Sequence, residues 1–513
     1  MKLVDKLEKI LYKVKNPVRY IGNEWNMVKK DWAEDKIKVA LAFPDLYEIG
    51  MSHLGLKLLY HLLNEEEDII CERTYAPWID MEELMREEGI PLFSLENKKA
   101  ISEFDIFGFT LQYEMSYTNI INMLDLAGLP LYSKDRDEKY PLVIGGGSIV
   151  FNPEPIAAFF DIFFIGEAED GVVELVRKYR ELKDKALKKE EILFELSQIP
   201  GVYVPSLYDV SYDENGRIKA IKPELPGVKE KIQRQVVSNL DQAYYPTKMI
   251  MPYMNVVHDR AVIEIARGCT RGCRFCAAGI SYRPVRERSK ETIIRLADEI
   301  LRNTGYDEIS LTSLSTMDYS DVADLVKTMA RRYEKDKVSI SLPSLRVDRF
   351  SVNLAREVQR VRKTGLTFAP EAGTQRLRDV INKGVQEEDL YDAVQAAFEE
   401  GWSTIKLYFM IGLPTETMDD IAGIVDLAKR VLQIGEEVRK NTSRQMKKIQ
   451  VNVSVSTFVP KAFTPFQWVA MDSKEVIEEK QKYLKEHLTD RGLSFSWNNP
   501  DLSLLEGVFS RGD

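Results

Sequence analysis

Cysteine is scarce in this chain, with four residues in 513, and three of the four fall between positions 269 and 276. So few thiols in so long a chain exclude a disulfide scaffold and point to a reducing compartment. Long apolar runs are also missing. No stretch of about eighteen apolar residues occurs, which excludes a membrane-spanning helix, and the first fifteen residues mix Lys with Glu, unlike a signal peptide. Positive charge is not in excess: Lys and Arg number 71 against 81 Asp and Glu, a formal charge of −10. That argues against wholesale coating of nucleic acid, while a local basic patch stays open. Hydrophobic residues at 44% and charged residues at 30% are near globular averages, so no long disordered region is expected. These absences predict a soluble, cytoplasmic protein, and the length predicts about three domains.

What the chain does hold is the stretch Ala266-Arg267-Gly268-Cys269-Thr270-Arg271-Gly272-Cys273-Arg274-Phe275-Cys276, directly after the apolar run 261–265. Soft thiolates at this spacing suit an iron–sulfur cluster or zinc, and a set of three leaves one position without a protein ligand. Its glycines and arginines make a poor hydrophobic core and a good electropositive cradle. Cys71, far away in sequence, reads as an ordinary buried thiol.

The spacing Cys-x3-Cys-x2-Cys, with Phe275 just before the last cysteine, resembles the radical S-adenosylmethionine (SAM) superfamily. The resemblance implies that Cys269, Cys273 and Cys276 hold a [4Fe-4S] cluster whose remaining iron is chelated by the amino and carboxylate groups of SAM. It implies that an electron from the cluster cleaves SAM to a 5′-deoxyadenosyl radical. It further implies a reducing partner such as flavodoxin or ferredoxin.

Upstream, residues 1–36 read as a helical extension with Leu3, Leu7, Ile10 and Leu11 on one face, followed by a segment of Pro, Tyr and Trp. Over 37–199, strands at 37–43, 69–72, 106–111, 142–145 and 162–165 alternate with helices at 50–63, 81–88, 117–127 and 170–187. That is the pattern of a doubly wound, Rossmann-like parallel sheet, which binds ligands beyond the carboxyl ends of its strands. Those ends carry Asp45, Thr110, Gln112, Gly145, Gly146, Gly147, Gly166 and Glu167. Together with the cysteine motif, this half resembles the cobalamin-binding domain of many radical SAM enzymes, which implies cobalamin as a cofactor held at that edge, with His53 nearby. Corrinoid domains that ligate cobalt through histidine carry Asp-x-His-x-x-Gly. None of His53, His61, His258 and His487 fits that pattern, so cobalt is expected without a histidine from the protein. His53, in Ser-His-Leu-Gly, reads as a helix cap or a packed side chain. Residues 200–255 read as a hairpin and linker around the turn Asp213-Glu214-Asn215-Gly216.

Over 256–495 a second alternation places strands at 262–266, 308–311, 338–342, 365–369, 404–410 and 451–458, with 496–513 as a tail. Six βα units are fewer than the eight of a closed barrel. The expected fold is therefore α/β, an N-terminal doubly wound parallel sheet followed by a partial (β/α)6 TIM-type barrel. Reactive residues of barrels lie at strand carboxyl ends. Position nominates Ser313 and Ser315 after the second strand, where many family members have Gly-Gly-Glu, and Ser341, Ser344 and Arg346 after the third. Arg346 is a natural fork-shaped partner for the SAM carboxylate, or a surface ion-pair partner of Asp348. Glu371 and Thr374 follow the fourth strand, with Glu371 suited to ribose hydroxyls. Gly412 and Pro414 follow the fifth, where adenine would lie. The aromatics of 458–468 wall an active site or plug the open barrel. The resemblance spans about 40–490 and is to a group of cobalamin-binding radical SAM proteins that often carry a further carboxyl-terminal domain. The chain ends at Asp513, soon after the barrel, so such a domain is not expected within it.

The leading expectation is a cobalamin-dependent radical SAM methyltransferase acting on an unactivated carbon. A radical rearrangement or cyclisation is the rival enzyme reading, and a non-catalytic sensor or RNA-binding module is the rival outside enzymes. Sulfur insertion of the methylthiotransferase kind needs three further thiolates, and only Cys71 remains. Basic runs at 283–290, 331–332 and 439–448 leave RNA open as a substrate, although such runs are usually solvated faces.

Overall fold

The computed structural model describes residues 3–342, 347, 366–442 and 446–512. Ser344 and Arg346, nominated above, lie outside the described residues. The chain divides into two compact units that part between Asp259 and Arg260, with Arg302–Thr304 grouped with the first.

The first unit is built on β1 (Ile37–Phe43), β2 (Ile69–Tyr75), β3 (Ile106–Thr110), β4 (Leu142–Gly146), β5 (Ile162–Phe164) and β6 (Val202–Tyr203). Their order is β2-β1-β3-β4-β5-β6. The first five run parallel, and β6 joins antiparallel to β5. Every residue of β2, β3 and β5 is buried, as expected of parallel strands covered on both faces. Residues such as Val39, Leu41, Ile106, Ile144 and Ile162 pack there against Leu56, Tyr60, Leu175 and Tyr179 from the crossover helices. β7 (Tyr208–Tyr212) and β8 (Ile218–Pro223) form the expected hairpin, within this unit. The helix expected over 50–63 is two helices, Tyr47–Gly50 and Leu54–Glu65. They are divided at His53, whose extended backbone (φ −85, ψ 115) starts the second one.

At the outer edge, β2 is closed by side chains and a loop. Asn64 exchanges hydrogen bonds with the backbone of Cys71, Glu96 accepts from the Arg73 amide at 2.8 Å, and Leu95 N–H donates to Arg73 O at 2.8 Å. A sheet edge covered in this way offers no free ladder to another chain.

The second unit holds β9 (Ala261–Glu264), the short pair β10 (Ala266–Arg267) and β11 (Arg286–Glu287), then β12 (Glu308–Thr312), β13 (Ser339–Ser341), β14 (Leu366–Glu371), β15 (Thr404–Ile411), β16 (Gln450–Thr457) and β17 (Leu493–Trp497). Parallel pairing gives two stretches, β13-β12-β9 and β14-β15-β16-β17. The six expected strands are present among the described residues, and β17 adds a fourth strand to the second stretch. The expected tail contains the helix Pro500–Arg511. Local chemistry sets the helix ends. Ser289 accepts from Thr292 N–H to start the helix Lys290–Thr304, and Gly305 ends it in the left-handed region at φ 74. Among the described residues, no helix is long and apolar enough to cross a membrane.

Candidate active site

β10 and β11 pair antiparallel, with Ala266 opposite Glu287 and Arg267 opposite Arg286, so residues 268–285 form a loop closed at its neck. Gly268 sits at the neck with φ 88, where a Cβ would lie 2.6 Å from Tyr282 O and 2.7 Å from Pro284 O. Only glycine lets the two arms approach so closely. Cys269, Cys273 and Cys276 lie in this loop, partly exposed and in no disulfide. Arg271 N–H donates to Cys269 Sγ at 3.4 Å and Gly279 N–H to Cys276 Sγ at 3.3 Å. Burial pushes the Cys276 thiol up, the Gly279 N–H opposes that, the Cys273 and Cys269 sulfurs add to it, and the Lys383 ammonium opposes it. Three thiols thus lie on one closed loop, with backbone donors on two sulfurs. That donor set fits an iron–sulfur cluster, whose sulfurs are tuned by such N–H bonds. Among the described residues, no group of three or more His, Cys, Asp and Glu is arranged to hold a single metal ion.

The loop is braced from two sides. Arg271 Nε donates to Asp318 Oδ2 at 2.7 Å, and Asp318 also accepts from Ser315 Oγ at 2.7 Å. Ser315 therefore braces the loop that follows β12, and buried Ser313 donates to Thr316 Oγ1 at 3.1 Å. From the other side, Asn382 Nδ2 donates to Gly272 O at 2.9 Å and Arg274 N–H to Ile381 O at 3.0 Å. Phe275 packs on the cluster of Leu377, Ile381, Leu413, Phe458 and Phe466, so the aromatics after β16 fill space beside the loop.

The remaining strand ends are structured by polar contacts that sequence spacing did not reveal. Glu371 closes β14 at φ 70, beyond a register shift that begins at Phe368, and accepts from Lys383 Nζ at 2.9 Å. Thr374 caps the helix Gln375–Val380 by accepting from Leu377 N–H at 3.3 Å, and its hydroxyl donates to buried Asp420. Gly412, at φ 83, donates its N–H to Glu416 Oε1 at 2.8 Å, and Lys480 Nζ spans Glu416 and Asp472 at 2.7 and 2.6 Å. Burial pushes Glu416 up while Lys480 opposes the rise. Pro414 is half-buried in this turn. Ser341 is turned toward Arg260, at 3.4 Å, which also pairs with Glu308. The cysteine loop, Ser315, Glu371 and Phe275 are thus brought together by named contacts. Asp318, Asp420 and Lys480 each have one partner 46 to 64 positions away, Arg271, Thr374 and Glu416, and Lys383 lies twelve from Glu371, so spacing did not nominate them. Of the basic runs, Arg332 is bound by Asp298 and Arg439 by Glu436, as on an ion-paired solvated face.

In the first unit the strand order reverses between β1 and β3, so the crevice opens beyond their carboxyl ends. Asp45 accepts there from Leu46 N–H at 2.7 Å. Thr110, buried, pairs with Gly146 across β3 and β4, and Gln112 Oε1 accepts from Ser148 Oγ at 3.0 Å. The three glycines differ. A Cβ on Gly145 would meet the Phe163 ring at 2.8 Å, one on Gly147 would meet Leu111 O at 2.2 Å, and one on Gly146 would meet nothing within 4 Å. Exposed Ile49, Trp78, Ile79 and Tyr113 lie in the segments after β1, β2 and β3. Open space over Gly146 and apolar groups along one edge fit a flat, largely apolar macrocycle such as a corrin. Gly166 and Glu167 serve the backbone instead: a Cβ on Gly166 would lie 2.3 Å from Gln235 O, and Glu167 accepts from Val237 N–H at 2.7 Å. His53 Nδ1 accepts from Leu56 N–H at 3.1 Å as the cap of its helix, and burial, with Lys57 adding, pushes it down to about 4. Both readings of His53 hold, since its ring also packs on Phe43 at 5.3 Å between centroids.

A closed loop of three thiols ahead of a parallel βα series, preceded by a doubly wound sheet, defines the class of iron–sulfur proteins that cleave SAM. The comparisons agree. Residues 55–205 match the family described as radical SAM proteins, N-terminal, and residues 263–428 match the radical SAM superfamily. The uncharacterized protein MJ0966 of Methanocaldococcus jannaschii is 30% identical over 478 residues, 93% of this chain and 88% of that one. The uncharacterized methyltransferase PH0819 of Pyrococcus horikoshii is 23% identical over 389 residues, 74% of this chain and 73% of that one. The solved structure of the radical SAM methyltransferase TsrM from Kitasatospora setae, with cobalamin and a [4Fe-4S] cluster bound, shares the fold. Its TM-score is 0.51 at 14% identity, covering 82% of this chain and 72% of that one. This chain belongs to the radical SAM superfamily and is a radical SAM enzyme.

Proposed function

We propose that the enzyme is a cobalamin-dependent radical SAM methyltransferase that methylates an unactivated carbon. The observation that carries this reading is the braced loop of Cys269, Cys273 and Cys276, in a chain whose doubly wound sheet leaves space open over Gly146. When bound, the cluster and SAM supply a 5′-deoxyadenosyl radical and the corrinoid a methyl group, so the organic chemistry belongs to the cofactors. The protein's own residues bind and orient. The three thiolates hold the cluster, and the loop's contacts with Asp318 and Asn382 keep them in register. Phe275 shields one side of the loop from water. We assign the SAM side to Glu371 with Ser313, Ser315, Ser341, Thr374, Gly412 and Pro414, and the SAM carboxylate to Arg346, which lies outside the described residues. Asp45, Thr110, Gln112 and Gly145, Gly146 and Gly147 form the corrinoid edge. The electron comes from an external donor of the flavodoxin or ferredoxin kind.

The reading is supported by what relatives are named for, a methyltransferase and a cobalamin-bound methyltransferase structure. It is tested by anaerobic reconstitution with iron and sulfide, followed by reduction in the presence of SAM, hydroxocobalamin and extracts of cells lacking the protein. About four irons per chain, 5′-deoxyadenosine, and S-adenosylhomocysteine in step with methylated product are expected. 5′-Deoxyadenosine without S-adenosylhomocysteine would favour rearrangement or cyclisation.

Corrinoid binding has its own test. Gly146→Leu adds a side chain that touches no protein atom at its Cβ, so the protein should fold while hydroxocobalamin no longer survives gel filtration with it. His53→Ala should keep the corrinoid and its cobalt spectrum and cost about 1 kcal/mol of stability as a lost cap. A Gly146→Leu protein that returned as much corrinoid as the parent would remove that edge from the reading.

A further inference from the structure

The turn after the helix Gln375–Val380 reaches the cysteine loop with each successive residue. Val380 O accepts from the Arg274 guanidinium at 2.5 Å, Ile381 O from the Arg274 amide at 3.0 Å, and Asn382 Nδ2 donates to Gly272 O at 2.9 Å. The fit is tight, since a Cβ on Gly272 would lie 2.7 Å from Asn382 Nδ2. Lys383 comes next. Its ammonium meets Glu371 Oε1 at 2.9 Å, and the two side chains are only 13% and 16% exposed. Glu371 is held in the left-handed region at φ 70, unusual for a residue with a side chain, at the end of β14. Lys383 thus joins a carboxylate on strained backbone to the turn that is hydrogen-bonded to the cysteine loop.

We propose that Lys383 is a positioning residue that ties Glu371 to the cysteine loop and raises the reduction potential of the cluster those cysteines hold. The inference rests on the reading of Cys269, Cys273 and Cys276 as cluster ligands. A cationic group in a partly buried site stabilises the more negative, reduced state of a nearby centre. Glu371 offsets part of that charge, so the pair sets the potential jointly.

The test reconstitutes the full chain and three variants under anaerobic conditions, counts iron, and follows reduction by electron paramagnetic resonance in a redox titration without SAM. Lys383→Met keeps a stem of similar length and removes the charge. It should hold as much iron as the parent, with the ratio of reduced to oxidised cluster lowered about tenfold at fixed potential, a shift of about −59 mV for one electron. Lys383→Arg should stay within about threefold of the parent. Glu371→Gln releases the ammonium from its partner and should shift the ratio the other way. A Lys383→Met protein with full iron and the parent's potential overturns the proposal and leaves the cluster reading standing. Should Lys383→Met take up no iron, Glu371→Gln decides, and a potential that is unchanged or lowered overturns it. A parent chain that binds no iron overturns the cluster reading and this inference with it.

Discussion

Cys273→Ala should abolish both iron uptake and 5′-deoxyadenosine formation, as should Cys269→Ala and Cys276→Ala, whereas Cys71→Ala should leave both intact. The three positions are not interchangeable. The neck at Gly268, the Arg271–Asp318 bridge and the Asn382–Gly272 hydrogen bond hold the loop in one shape, so no neighbouring group can swing in to replace a lost thiolate. Cys71 cannot substitute, because it lies in the middle of β2, 1% exposed, with its backbone bound to Asn64. Burial pushes its thiol well above the ordinary value, which marks an inert packed sulfur and not a ligand. Removing that sulfur should cost only on the order of 1 kcal/mol in packing. Iron per chain after anaerobic reconstitution and chromatographic detection of 5′-deoxyadenosine check both halves. A Cys273→Ala chain that still cleaved SAM would sink the assignment of the loop.

The sheets were legible because parallel strands buried on both faces read as short apolar runs between turns. β1 matches its expected range residue for residue, and β3, β4 and β5 differ from theirs by one residue. β17 escaped notice for a physical reason: Leu-Ser-Phe-Ser-Trp is an edge strand, half exposed, and lacks the continuous apolar character of its neighbours. The cysteine loop was legible because its chemistry is local in sequence. Its supports were not, since Arg271–Asp318, Lys383–Glu371 and Lys480–Glu416 join residues that no local spacing relates. Glycines were legible as special but not as to purpose. Gly146 faces open space, while Gly166 admits the Gln235 backbone, and both read alike as a glycine after a strand. The hydroxyls of Ser313, Ser315 and Thr374 show the same limit. Each has a bracing or capping partner within the fold.

Loss of the Arg73 charge should destabilise the fold strongly, and Arg73→Met should cost about 3–5 kcal/mol at neutral pH. That is a large share of the 5–15 kcal/mol typical of a folded domain. Its guanidinium, 2% exposed, donates to Glu96 Oε1 at 2.6 Å and to Glu24 Oε2 at 2.9 Å, and lies 5.2 Å from the Tyr60 ring centre. Glu24 belongs to the amino-terminal segment and also accepts from Tyr47 O–H at 2.9 Å, so one cation anchors that segment and the loop around Glu96 to β2. Methionine fills similar space but strands two buried carboxylates. The pH dependence follows. In the parent, burial alone would raise Glu24, but Arg73 outweighs it and holds Glu24 below the ordinary range. The Glu24 contribution is therefore present above the unfolded carboxylate pKa and lost as pH falls through the lower folded value. Glu96, buried more deeply, is pushed above that range despite Arg73. In the variant neither carboxyl has its counter-charge, so burial raises both, the folded state binds the extra protons, and stability rises as pH falls. The deficit should accordingly shrink between pH 7.5 and pH 5 in urea unfolding. Adding Glu24→Gln and Glu96→Gln to Arg73→Met should recover much of the loss, because what costs is the unpaired charge and not the missing pair. A deficit under about 1 kcal/mol at neutral pH, or one that grew on acidification, would show that water reaches these carboxylates and that Arg73 is no keystone.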